Sequence, residues 1–577
     1  MKKKLMAVAC LSFASLLAFG GCGVGGGDDS SGKKEKGYLQ VQADPSKFGL
    51  ENFNEAYLPV TGKAGGILER SGQIDVAILF EGMEPGWEAV AKEYERLHRN
   101  RVDVVLTPNL TATTYPDQLK NEFTSIETTD WDIVQGNLAP SGATSDYCVD
   151  MYNYVFMSNG YAGGEVWSVV LEEDAYITNK SSNATNSTYI LNTEGLQTAW
   201  FINDIAFNDA VAEGYSAKDD EGNSVKPRTW DELVELCQCM VTAGYSNPLG
   251  LSLSDDSITA SQFTWLLRVY GDLYYRNEYP NIVREDKKDK FVLDLTSQNP
   301  EGDVDFQVSY PKLMNMILEG TSPLYKGAKS NKFKDFLGQF EKVWEYLHAN
   351  AVGTSPAEMR NEFQNQTKGK GSPQIILDYA GTGLAFQKSE KIQLDFFDHP
   401  MMESDYIAEG TLLRDVGGNG GYLSVIQHGN DPEQTELSMD FVKFFMSPYA
   451  QSIYYDALIE HNLTPKGMTL VDNDLVCIPT EWEQFFKTDK ITFTGLSDNN
   501  PFISWLIRGI NNGTETKKKS AELWKKYYQG SITMEYFCNQ WHSAMMVDWA
   551  THCDLYNWNE NIYKNEYRDQ DDTNPKN

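Results

Sequence analysis

Residues 74–98 read IDVAILFEGMEPGWEAVAKEYERLH. Ile74, Val76, Ile78, Leu79 and Phe80 form a short apolar, β-branched run, the pattern of a strand buried on both faces. Glu81, Gly82 and Met83 interrupt it. Pro85 then suits a first helical turn, where a missing N–H costs nothing, and Glu84 suits the positive end of the helix dipole. Trp87, Val90, Ala91, Tyr94, Leu97 and His98 recur at helical spacing. The stretch predicts strand, loop and amphipathic helix, the junction at which open α/β sheets place ligands. The loop carries neither GxGxxG nor GxxxxGK[ST], so a nucleotide phosphate is not the expected guest. The loop offers a carboxylate, a glycine and a nearby tryptophan instead.

Outward from this unit the pattern repeats. RVDVVL (Arg101–Leu106) predicts a second strand, Tyr115–Ile126 a helix, and WDIVQ (Trp131–Gln135) a third strand ending at Gly136-Asn137. Alternating strands and helices predict a doubly wound parallel sheet. Residues 137–186 are irregular and predict an insertion followed by a first crossover to another lobe. WFINDIAF (Trp200–Phe207) precedes Pro227 and a Thr229-to-Glu232 spacing that predicts a capping box. Leu233, Leu236, Cys237, Met240 and Val241 are expected on that helix's buried face, with Gly244 ending it.

Length and charge bound the function. At 577 residues the chain can build two or more lobes. Forty-nine basic against 82 acidic residues leave a net charge of −33, which argues against nucleic acid, whose phosphates need Lys and Arg to displace their counterions. Of the 13 Trp, 31 Tyr and 27 Phe, core packing is expected to take most and leave a few for a binding surface. There is no GxSxG, no HExxH and no CxxC, so no metal or cofactor is expected. Cys148, Cys237, Cys239, Cys477, Cys538 and Cys553 are expected as free, mostly buried thiols.

The N-terminus is a targeting segment. Lys2, Lys3 and Lys4 precede the apolar run Leu5–Phe19, too short to span a bilayer with ease, and then Gly20-Gly21-Cys22. Small residues before a cysteine resemble a bacterial lipobox, although Phe19 departs from the usual Leu. The resemblance implies a signal peptide over 1–21 and acylation, such as palmitate, at Cys22. Residues 22–37 then form a flexible Gly/Ser/charged linker to the cell membrane.

The order of segments resembles the family 1 extracellular solute-binding proteins of ABC sugar importers, the maltose-binding-protein-like group. Pro227 and Thr229-Trp230-Asp231-Glu232-Leu233 match the family's helix start, and Phe201-Ile202-Asn203-Asp204-Ile205 its preceding strand, without the usual Tyr and Lys. Phe363–Tyr379, GGNGGYLSV (Gly417–Val425) and Asp431–Tyr454 resemble the family's later segments. The resemblance covers roughly residues 73–455. It implies an α/β, two-lobed periplasmic-binding-protein-like fold of class II type, each lobe a sheet flanked by helices, with three interlobe crossings. The first lobe is expected over 73–180 and 405–452, the second over 190–398 and 460–560, and a polar tail over 561–577.

A neutral sugar needs polar partners for its hydroxyls and a flat ring for its apolar face. Candidates are taken from strand ends. Glu81, Gly82 and Trp87 follow the first strand, though Trp87 equally fits its helix's apolar stripe. Tyr115 opens the next helix, and Asn137 is preferred over Gln135 after the third strand. Trp265 matches a cleft-facing helix of the family; Asp378 and Tyr379 end IILDY, where the family presents a stacking aromatic. Gly420 and Tyr422 lie in the glycine-rich return, and Trp505 in FISWL completes the set. The expected activity is capture without catalysis: a monomer binds a carbohydrate, an oligosaccharide from the chain's length and spare aromatics, and delivers it to ABC permease subunits. The alternatives are a surface glycan adhesin without transport and a two-carboxylate glycoside hydrolase.

Overall fold

The computed structural model describes residues 72–111, 114–140, 142–162, 165–176, 187–253, 262–283, 295, 309–319, 331–416, 419–465, 467–472, 476, 492–493, 514–545, 549–555 and 558–559. The expected signal peptide, linker and polar tail, with Cys22, Cys477 and Trp505, lie outside them. In chain order the strands are β1 (Gly72–Ala77), β2 (Val102–Leu106), β3 (Ile133–Val134), β4 (Leu191–Gly195), β5 (Thr198–Asn203) and β6 (Leu249–Gly250). They continue as β7 (Ile375–Tyr379), β8 (Leu394–Phe397), β9 (Asp415–Val416), β10 (Asn419–Val425), β11 (Met468–Thr469) and β12 (Thr492–Phe493).

A six-stranded sheet has the order β11-β4-β10-β3-β1-β2 and a four-stranded sheet the order β6-β7-β5-β8. The predicted parallel unit is present: β1 pairs β2 with Ile74 opposite Val104, and β3 with Val76 opposite Ile133. The first sheet is not parallel throughout, because β10 enters antiparallel between β3 and β4. β1 is also shorter and less apolar than its sequence predicts. It ends at Ala77, and Asp75, whose N–H donates to the Asp132 carboxylate at 2.8 Å, is half-buried on the face opposite Ile74 and Val76.

Helix Glu84–Leu97 covers the first sheet with Trp87, Val90, Ala91, Tyr94 and Leu97. Gly86 lets helix Pro448–Glu460 approach, since a Cβ there would meet the Tyr454 ring at 2.6 Å. Behind this contact Tyr94 and Tyr161 both donate to the Asp440 carboxylate, at 2.9 and 2.5 Å, and burial raises that carboxyl to about 7. The second sheet is covered by helices Trp230–Thr242, Gln262–Tyr275 and Asn331–Glu341. The capping box forms as predicted: Glu232 N–H donates to Thr229 Oγ1 at 3.2 Å, and Thr229 N–H to the Glu232 carboxylate at 3.0 Å. Trp230, not Val241, completes that helix's buried face; Val241 is 44% exposed. Trp524, Tyr528, Phe537 and Trp541 of the C-terminal helices enter the same core, so these aromatics pad the second sheet.

The chain passes between the sheets first from β4 to β5, through Leu196-Gln197, and returns between β9 and β10. The return falls after Val416, later than residue 405, because Arg414 is held on the second-lobe side. Asp272 of helix Gln262–Tyr275 binds Arg414 at 2.8–2.9 Å, Arg276 at 2.5 Å and the Tyr279 hydroxyl at 2.7 Å. The third passage leads from β11 to the C-terminal helices, and β12 pairs with β9 along the way. Among the described residues no helix is long and apolar enough to cross a membrane.

Burial opposes a charge on Asp272, but its two guanidinium partners outweigh that and hold the carboxyl well below its ordinary range. Asp272→Asn removes the carboxylate charge that the two buried guanidiniums share. The expected loss is about 3–5 kcal/mol, read as a lowered urea midpoint; a change under about 1 kcal/mol would show that the cluster does not anchor the return strand.

Candidate functional site

β1, β3 and β4 run in one direction and β10 in the other, so the ends of the first three meet the start of β10 at one sheet edge. A cleft enclosing about 650 Å³, part of it open solvent, lies there. Its walls are Ile78–Glu81, Met83 and Trp87 after β1, Gln135 after β3, Thr193 and Glu194 on β4, and Gly420–Leu423 on β10. Phe445, Gln451 and Tyr454 close it from the covering helices.

Two consecutive residues shape the loop. Glu81 has φ 51° and Gly82 φ 89°, both left-handed, and a side chain in that region costs about 1–2 kcal/mol. The turn keeps Glu81 exposed on the rim. Trp87 is 5% exposed, stacked on Phe445 with centroids 3.9 Å apart and edge-on to Phe80 at 5.7 Å. One face of its ring is therefore covered by Phe445, and the residue serves its helix's packing while touching the cleft floor.

Tyr115 is fully buried beneath the edge. Its hydroxyl donates to Ala77 O and accepts the Gln135 N–H at 3.0 Å, tying the end of β1 to the end of β3. Gln135 Oε1 in turn accepts the Leu79 N–H at 3.1 Å. Both residues hold the loop that carries Glu81. Asn137, the choice made from sequence, is exposed in a 3₁₀ turn and does not line the cleft; its neighbour Gln135 does.

β10 meets β4 with register shifts at Gly421, and glycine is what allows the approach. A Cβ on Gly421 would lie 2.0 Å from Thr193 Oγ1, and one on Gly420 2.8 Å from Glu194 Oε2. Glu194 was not among the candidates. It is half-buried, and desolvation raises its carboxyl to about 7. No described residue donates a hydrogen bond to that carboxylate. LNTEG carries one large apolar residue and a glycine, so neither period nor propensity marked it as a strand.

Trp265, Asp378 and Tyr379 form a second group, apart from the cleft. The Trp265 and Tyr379 rings lie 4.5 Å apart at 45°. Asp378 is fully buried and accepts Arg360 Nε and Nη2, the latter at 2.9 Å, the Tyr379 N–H at 2.8 Å and Gln262 Nε2 at 3.3 Å. Its oxygens are engaged internally; Tyr379 remains half-buried at the end of β7.

Tyr379 lies opposite Thr198, the first residue beyond the β4–β5 passage, and Ala380 N–H donates to Gln197 O at 2.9 Å. Thr198 also joins the two passages: its N–H (2.8 Å) and hydroxyl both donate to the Asp415 carboxylate. His399 Nε2 lies 3.0 Å from Asp415 Oδ1 and 2.9 Å from Thr198 Oγ1. Trp200 Nε1–H, which can only donate, reaches His399 Nδ1 at 3.1 Å, so Nε2 carries the proton. This grouping of Thr, His and Asp is not a nucleophile relay. Hydroxyl and carboxylate meet the same imidazole nitrogen, whereas a relay needs one at each. Among the described residues no cluster of three or more His, Cys, Asp or Glu is arranged to hold a metal.

No protein-family model matches the chain, and no curated protein does. A solved structure of a family 1 extracellular solute-binding protein from Bifidobacterium longum subsp. infantis is similar at 14% identity, over 84% of this chain and 100% of that one, with a TM-score of 0.50. The apo form of RafE from Streptococcus pneumoniae aligns at 14% identity over 82% of this chain and 98% of that one, with a TM-score of 0.49. At such identity the first likeness is one of fold: the two-lobed architecture read from the sheets is that of a solved solute-binding protein.

Tyr115→Phe leaves Ala77 O and the Gln135 N–H without their shared partner under the cleft. The expected cost is about 1–3 kcal/mol in thermal or urea unfolding. Unchanged stability would mean that water replaces the hydroxyl.

Proposed function

We propose that this chain is a binding protein that captures an oligosaccharide between its two lobes and hands it to an ABC importer, tethered to the outer face of the cytoplasmic membrane by a lipid on Cys22. One observation carries the reading: the polar cleft and an aromatic pair flank the same passage. Glu194 of the first sheet lies four residues before Thr198, and Tyr379 pairs with Thr198 within the second sheet. A sugar seated there would meet carboxylates, backbone groups of β10 and the rims of Trp87 and Tyr422 on one side, and the Tyr379 ring on the other. Carbohydrates need that combination, because hydroxyls left without partners cost about 1–3 kcal/mol each while ring faces favour flat apolar surfaces. The fold shared with a family 1 extracellular solute-binding protein supports the same reading, since hinge closure about such passages traps ligands in binding proteins.

Glu81, Gly82, Trp87, Gly420 and Tyr422 are the proposed first-lobe contacts, and Tyr379 with Trp265 the second-lobe contact. Tyr115 and Asp378 act as supports. The lipid anchor and the permease partner rest on the sequence of the first 37 residues and on the resemblance alone.

A thermal-shift screen over raffinose, stachyose, mannotriose and chitotriose should find at least one that raises Tm, because a ligand of the native state alone stabilises it. The same ligand should reduce the radius of gyration. Tyr379→Ala should weaken it at least tenfold with the fold intact, as removal of a stacking ring does. Binding without compaction would favour the adhesin, and release of reducing ends the hydrolase.

A further inference from the structure

We infer that Glu194 makes the first-lobe cleft a charge filter, which accepts a hydroxyl donor from an uncharged sugar and turns away sugars bearing a carboxylate; this rests on the carbohydrate reading above. The described walls of the cleft contain two carboxylates, Glu81 and Glu194, and no Lys, Arg or His. Among the described residues, nothing packed around Glu194 offers a positive charge. β10 brings Tyr422, helix Pro448–Glu460 brings Tyr454 and Tyr455, and β11 brings Met468 and Thr469. The loop after β1 adds Glu81, and helix Glu84–Leu97 adds Glu84 beyond Tyr454.

A half-buried carboxylate in such surroundings has unfilled acceptor positions. A sugar hydroxyl can fill them at no charge cost. A second carboxylate cannot, because like charges in a partly desolvated site repel more strongly than in water. Burial pushes the Glu194 carboxyl up from its ordinary value to about 7, the direction expected of a carboxylate without a cation. The sign of the pH effect follows. Above pH 7 Glu194 is ionised and the filter is strong; below it the group is protonated and the repulsion fades. A uronate stays ionised throughout, having a carboxyl pKa of about 3–4 as other α-carboxyls do.

The test uses the full chain and calorimetry with raffinose, stachyose, mannotriose and chitotriose, each paired with its counterpart oxidised at a primary alcohol to the carboxylate. Raffinose-type and chitin-type probes differ in linkage, so the comparison is made only within a pair. For any neutral probe that binds, the oxidised partner should bind at least tenfold more weakly at pH 8. That ratio should shrink severalfold by pH 6. In Glu194→Gln the ratio at pH 8 should be smaller and should no longer change with pH. Equal affinity within a pair at pH 8 overturns the filter, and so does a pH dependence that survives in Glu194→Gln. The wild-type titration decides the matter alone should that variant fold poorly. If no neutral probe binds, the carbohydrate reading itself falls and the filter with it; if neutral probes bind but the ratio is flat, only the filter falls.

Discussion

The buried carboxylate of Asp415 is the constraint on which the arrangement of the two sheets depends. It takes both the backbone N–H and the hydroxyl of Thr198, and so binds the strand leaving the first sheet to the strand returning to it. In the interior such charge-assisted hydrogen bonds are roughly twice as strong as neutral ones. His399 fills a further acceptor position, and Trp200 fixes which imidazole nitrogen does so. Because Thr198 follows Glu194 by four residues and Asp415 precedes Gly420 by five, this one clasp sets how β4 and β10 face each other across the cleft.

That register then dictates residue size. Gly420 and Gly421 stand where a Cβ would strike Glu194 and Thr193, and Gly136 where it would lie 2.0 Å from Ser424 Oγ. Close backbone approach brings Glu194 into a half-buried position, where no described residue donates a hydrogen bond to it. The second lobe is built by the opposite strategy. Asp272 and Asp378 are buried, yet each is ringed by guanidinium and other donors, so their charges stabilise structure and are closed to a ligand.

Much of this architecture was legible in the sequence, for local reasons. The strand, loop and helix of residues 74–98 are written in apolar spacing, Pro85 and the Glu81-Gly82 break; the Thr229 box is written in a three-residue interval. Glu194 was hidden because LNTEG has no period of two and its partners β10 and β11 lie more than 200 residues away. Tyr115 reads as a ring at a helix start, and only the tertiary structure brings its hydroxyl to Ala77 O and the Gln135 N–H. The sequence favoured Asn137 over Gln135, but a 3₁₀ turn beginning at Gly136 turns the later residue outward. Val241 fitted the apolar period of its helix, but Trp230 at the first turn took that side of the core, with its Nε1–H on Gln339 O at 2.7 Å.

The C-terminal aromatics carry a consequence for the order of folding. Phe263 packs against Trp524 and Tyr528 at 6.0 and 4.8 Å, and the Tyr528 hydroxyl satisfies Leu251 O at 2.8 Å. Residues up to 500 supply all four strands of the second sheet but not the side chains that seal its core. Until the helix bearing Trp524 docks, those apolar faces stay open to water and to one another in neighbouring chains. The core of the second lobe is therefore sealed only when the last helices of the fold are in place.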